Sequence, residues 1–158
     1  MGIEVLNETT FDVDIQRVIT LGQHLYEHLH IHPESELAVV FVDNDAMSHL
    51  HQEWMGLDGP TDVMSFPMDE LRPGTQQKPA EGLLGDIVIS PEVATDHANI
   101  GGHSVADEIA LLVTHGLLHL LGYDHHDETT QQQMFEQQNQ LLEQFLGYAP
   151  PQLHDDGA

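Results

Sequence analysis

The chain has 158 residues, 40% of them hydrophobic, and sets 3 Lys and Arg against 27 Asp and Glu for a formal charge of −24 with histidine neutral. That length suffices for one buried core, and the lack of cysteine excludes disulfides and thiolate metal sites. No basic segment followed by an apolar one opens the chain and no apolar run nears the ~20 residues of a membrane span, so a soluble, cytoplasmic protein without a membrane partner is expected. Cations this scarce argue against a free-standing nucleic-acid binder, and point instead to a salty interior or to a partner that supplies positive charge.

Taken in order, Ile3 to Leu6 alternates loosely and predicts a first strand, ending in polar residues 7–10. Asp12 or Asp14 can cap a helix reaching about His30 before Pro33. Within it, His24 and His28 lie on the polar side of a stripe of Val18, Leu21, Leu25 and Leu29, and are read as solvated. The apolar run from Leu37 to Val42 suits a buried central strand. Asp43, Asn44 and Asp45 offer N-caps for a short helix through Trp54, closed by Gly56.

Val63 to Phe66 predicts an edge strand. Around it, residues 57–82 carry Pro67, Pro73, Gly74 and Pro79 in a long exposed excursion, either a lid or a floppy insertion. Asp86 to Ile89 predicts another buried strand, and Ser90-Pro91 starts a helix that Gly101-Gly102 ends. Ser104 caps the next helix, with Asp107 and Glu108 in its first turn where negative charge suits the helix dipole. Its apolar residues run almost all round from Ile109 to Leu121, which belongs at the centre of a protein. Asp127 caps a last helix stopped by Gly147, whose Gln-rich patch from Gln131 to Gln140 reads as a solvated face. Residues 1–149 are expected to form one domain and 150–158 a frayed tail. Strands separated by helices, with two helices last, predict an α+β or α/β layer arrangement.

The apolar helix carries the chemistry. From Thr114 to His126 the chain reads THGLLHLLGYDHH, with His115, His119 and His125 in the pattern H-x3-H-x5-H. Histidines four apart share one helix face, and three imidazoles with an open position make a catalytic zinc shell. Gly122 is where the chain can turn to bring the third ligand, and Asp124 can orient an imidazole from behind. His24 and His28 repeat the four-residue spacing without the glycine turn or a third histidine. Metzincin proteases share the histidine and glycine spacing, but Gly116 stands where their general-base glutamate would be, so a metalloprotease is disfavoured.

The string HGLLHLLGYDH, residues 115–125, closely resembles the signature of the YbeY family of bacterial metal-dependent endoribonucleases linked to ribosomal RNA maturation. Residues 59–67, GPTDVMSFP, resemble that family's PT(D/N)VLSFP motif, and residues 84–89, LGDIVI, its LGD-hydrophobic strand. Together the three blocks and their spacing cover roughly the region from Asp43 to Tyr148, most of the chain. The resemblance implies a small, roughly four-stranded mixed sheet packed by helices, with a metzincin-like metal helix and a cleft along one edge. It also implies a single-strand-specific, zinc-dependent endoribonuclease of the cytoplasm, with one Zn2+ per chain. Its work would be 16S rRNA 3′-end maturation and ribosome quality control, with ribosomal RNA, the small subunit and its basic proteins as partners and no DNA. Many family members carry an arginine five residues before the Pro-Thr pair, a natural phosphate clamp; here that position is Met55. The catalytic residue is not identified, with Asp62, Asp86 and Asp124 as candidates for the general base. Thr61 and Ser65 are hydrogen-bond donors for the cleft or for packing. A ribosome-assembly factor whose zinc is mainly structural is the alternative.

Overall fold

Four short apolar runs pair into one mixed sheet in a computed structural model that describes residues 2–124 and 127–153. In chain order the elements are β1 (Ile3–Asn7), α1 (Ile15–His28), β2 (Glu36–Phe41), α2 (Asn44–Met55), β3 (Val63–Pro67), β4 (Leu83–Ile89), α3 (Pro91–Gly101), α4 (Val105–Leu120) and α5 (Glu128–Leu146). The strands lie in the order β1-β2-β4-β3. β1, β2 and β4 are parallel, with Val5 opposite Val39 and Val39 opposite Ile87, while β3 runs antiparallel to β4 with Met64 opposite Val88. The α+β class, the four-stranded mixed sheet and the edge position of β3 are those the sequence predicts.

Alternation along the strands decides what each face meets. Leu37, Val39, Phe41, Ile87 and Ile89 are buried in the main core with Leu111, Leu112, Leu117 and Leu118 of α4. Val42, Met64 and Val88 point the other way and bury against Met47 of α2. α4 is covered on all sides, by the sheet, by α1, by α3 and by α5, as its unbroken apolar character requires. Ser104 caps it, accepting from the Asp107 amide at 3.1 Å, and Asp127 caps α5 in a reciprocal box with Thr130. No helix among the described residues is long and apolar enough to cross a membrane.

Three expectations need correction. His24 is not solvated: its Nε2 lies 3.0 Å from the Leu141 carbonyl and its ring 5.6 Å from that of Phe145, because α5 crosses the polar side of α1. The excursion between β3 and β4 is not floppy. The Gly74 amide donates to the Leu29 carbonyl, the Ala80 amide to that of His30 and the His32 amide to that of Ala80, stitching the loop to the end of α1. The start of the tail is docked as well, since Leu153 packs against the main core, while 154–158 lie outside the described residues.

Candidate metal centre

His115 and His119 sit one turn apart on α4, the first buried and the second half-buried. Their rings stand edge to face at 4.5 Å, with the two Nε2 atoms 3.0 Å apart. Each Nδ1 is turned away to an acceptor. That of His115 meets Gln138 Oε1 at 2.9 Å, and that of His119 meets the Tyr123 carbonyl at 3.1 Å. An oxygen acceptor fixes the hydrogen on Nδ1, so in the neutral rings both Nε2 lone pairs converge on one point. Two such nitrogens could serve as part of the donor set of a transition-metal ion, with hydrogen bonds from behind to orient them.

The chain leaves α4 through a turn that only glycine takes easily. Gly122 has φ of +91°, its amide donates to the His119 carbonyl, and the next amide, Tyr123, reaches back to Leu118. This is the turn the sequence predicts, and it carries Tyr123 and Asp124 into a cleft with His119. His125, the predicted third ligand, and His126 lie outside the described residues.

Gly116, where the protease glutamate would be, faces the sheet. A Cβ there would lie 2.9 Å from Ile87 Cγ2 and 3.2 Å from Ser65 Oγ, and Ser65 Oγ donates to the Gly116 carbonyl at 3.2 Å. The close approach of helix to sheet leaves no room for a glutamate. Ser65 therefore ties β3 to α4, and Thr61 is buried with its hydroxyl 3.5 Å from Asp62 Oδ1, so packing accounts for both.

The three aspartates separate. Asp124 lines the cleft beside His119. Asp86 is exposed on β4, and alternation puts it on the face opposite Ile87 and thus away from α4. Asp62 is 1% exposed and lies with Glu108, seven residues before His115 on α4 and so about 10 Å along the axis. Neither Asp62 nor Asp86 stands beside the histidine pair, a correction of their candidacy as general base there.

Asp62 instead joins a second group. Its Oδ1 accepts from the Val63 amide at 2.8 Å and its Oδ2 lies 3.3 Å from His97 Nδ1, while Glu108 Oε1 meets His103 Nε2 at 2.5 Å. Burial pushes the Glu108 carboxyl above its ordinary pKa, with the hydrogen bond from His103 opposing. Asp62, His97 and Glu108 bring one ligand atom each within 4.8 Å of one another, so this buried group could bind a metal ion. It clasps the start of β3, α3 and the first turn of α4, which makes Glu108 an internal partner as well as a dipole charge.

Sequence reasoning missed Gln138. It is 1% exposed on the inward side of α5, not on a solvated face with the other glutamines. One signal was available, since Met134, Gln138, Leu141 and Leu142 share one helical stripe.

The fold and the paired histidines describe an α+β protein with a two-histidine centre that could contribute to holding a metal ion. A model of the endoribonuclease YbeY family matches residues 4–146. The chain is 50% identical to the endoribonuclease YbeY of Micrococcus luteus over 151 residues, covering 96% of each chain. It is 53% identical to that of Renibacterium salmoninarum over 152 residues, 96% of this chain and 97% of the relative. A Thermotoga maritima protein solved in solution superposes with a TM-score of 0.63 at 28% identity, over 92% of this chain and 89% of the other. This chain belongs to the YbeY endoribonuclease family, and the role that membership supports is a hydrolase acting on RNA.

Proposed function

We propose that the chain is a cytoplasmic, zinc-dependent endoribonuclease that cuts single-stranded RNA during 16S rRNA 3′-end maturation and ribosome quality control. One Zn2+ is held by His115, His119 and His125, within one domain over residues 1–149. The observation that carries the reading is the convergence of two Nε2 atoms to 3.0 Å, each ring anchored from behind, in a chain of this family. A metal ion held by these residues would supply Lewis acidity toward water and toward a phosphoryl oxygen. Gln138 and the Tyr123 carbonyl hold the two imidazoles in the metal-binding tautomer. Asp124, the one aspartate candidate in the cleft, is placed to handle a proton or to orient a ligand. Ribosomal RNA is the substrate, and the small subunit with its basic proteins brings the acidic chain to it; DNA and membranes are not partners. The packed glycine at 116 disfavours a metalloprotease.

The test is cleavage of a ribosomal RNA fragment by purified protein, with metal content measured before and after chelation. Cleavage that chelation abolishes and zinc restores is expected, with His115→Ala, His119→Ala and His125→Ala each losing both metal and activity. Full metal occupancy without any cleavage of RNA, free or in ribosomal particles, would instead favour an assembly factor with structural zinc.

A further inference from the structure

Only three side chains of this protein carry a permanent positive charge: Arg17, Arg72 and Lys78. Arg17 is committed to the fold, pairing with Asp107 at 2.9 Å, donating to the Ala106 carbonyl at 2.6 Å and lying over the Phe145 ring. Lys78 is exposed in a turn closed on Thr75. Arg72 is different. The loop between β3 and β4 carries it across to the glycine turn after α4, where a Cβ at Gly122 would collide with Arg72 Nη1 and lie 2.8 Å from its Nε. Its guanidinium lines the same cleft of about 620 Å3 as His119, Tyr123 and Asp124. No other Lys or Arg lines that cleft among the described residues.

The guanidinium is positioned but not consumed. Nη1 donates to the carbonyls of Glu70 and Leu71 at 3.3 and 3.2 Å, which holds the plane of the group. Among the described residues no carboxylate lies within ion-pair distance of it, and neither Nε nor Nη2 makes a hydrogen bond. Glu70 and Asp124 also border the cleft, so Arg72 is the side chain there whose charge opposes theirs toward a phosphodiester. The loop is stitched to α1 by the backbone bonds of Gly74 and Ala80, so the arginine is presented from a fixed base.

From this placement we infer that Arg72 is the phosphate-binding residue of the RNA site, gripping a backbone phosphate of the single strand beside the histidine centre. The inference rests on the reading of that centre as the endoribonuclease site. The cation thus comes from the β3–β4 loop, since α2 ends on Met55 and carries no Lys or Arg. A guanidinium suits this task because two of its donors meet two phosphate oxygens at once, which a lysine cannot copy. Gly122 completes the arrangement, since any side chain there would displace the guanidinium.

The experiment measures binding of zinc-loaded protein to an uncleavable 2′-O-methyl single-stranded oligonucleotide across salt concentrations, and cleavage of the matching RNA separately. Arg72→Ala should weaken binding roughly tenfold, as loss of a charge-assisted contact does. It should also reduce the slope of log affinity against log salt by about 0.7, the share of one phosphate contact on a single strand. Arg72→Lys should keep the slope and recover only part of the affinity, and Lys78→Ala should change neither. Zinc content and melting temperature should be unchanged in all three, which separates a lost contact from a damaged fold. An Arg72→Ala protein with unaltered affinity and slope overturns the inference while leaving the reaction standing. A wild-type protein that binds through Arg72 but cuts no RNA would refute the endoribonuclease reading and keep the clamp.

Discussion

At the scale of single residues, the side chain with the largest leverage for its size is Gln138. It is buried on a helix that supplies no predicted ligand, yet its Oε1 receives the Nδ1 hydrogen of His115 at 2.9 Å. Removing that acceptor frees the ring to turn and to shift its hydrogen to the nitrogen that faces His119. Supporting contacts of this kind are worth about 10- to 100-fold in metal affinity. Gln138→Ala should lower zinc affinity by that amount in a chelator competition, whereas Gln138→Glu, which keeps an oxygen acceptor, should retain most of it. Equal affinity in wild type and Gln138→Ala would show that packing alone orients His115. His24→Ala, outside the centre, should leave zinc affinity unchanged.

At the scale of elements, α5 is the brace of the molecule: it holds Gln138 against α4 and covers His24 of α1. Burial under α5 holds the His24 imidazole below its ordinary pKa of 6.5, reinforced by His28 and opposed by the hydrogen bond to the Leu141 carbonyl and by Glu27. A base whose pKa is depressed on folding binds its proton first in the unfolded chain. The stability of this contact is thus complete above pH 6.5 and declines as pH falls through the folded value. Melting curves of chelated protein from pH 8 to pH 5 should fall more steeply for wild type than for His24→Gln, whose amide can still donate to Leu141. Parallel falls would mean that other histidines carry the acid sensitivity. The loop between β3 and β4 is the second element with a role larger than its composition suggests, since its backbone pairing with the end of α1 fixes where Arg72 stands.

At the scale of the whole molecule, charge and substrate oppose each other. A formal charge of −24 repels RNA, and of the three permanent cations Arg17 is already paired with Asp107. Binding to naked RNA should therefore be weak, with a log–log salt slope no steeper than about two. Ribosomal particles, whose basic proteins can meet the acidic surface, should bind more tightly than the same RNA alone. Titration of one protein preparation against both partners over a range of salt checks this. A steep slope on naked RNA would point to protonated histidines acting as further cations, and particles that bind no better than RNA would remove the proposed protein partners.

The chain order of the strands and helices, the caps at Ser90, Ser104 and Asp127, and the stop at Gly147 were legible in the sequence because each depends on neighbours a few residues away, while the choice of Asp14 over Asp12 and of Asp43 over Asn44 and Asp45 was made only by the fold. So was the pairing of His115 with His119, since one helical turn brings them together whatever surrounds the helix. What crosses the molecule was not legible. Asp62 and Glu108 lie 46 positions apart, Ser65 and Gly116 51, and His115 and Gln138 23. No local periodicity registers such distances. A glutamine patch looks solvated until another helix is laid on one of its members, and a loop looks floppy until its amides find the carbonyls of α1. Only the packing of α5 on α4 and of the β3–β4 loop on the α1 corner decided that Gln138 belongs to the histidine centre, that Asp62 and Asp86 do not, and that Arg72 reaches it. Sequence specifies local geometry through short-range sterics and hydrogen bonding; which distant side chains meet is settled by the burial of apolar surface over the whole chain.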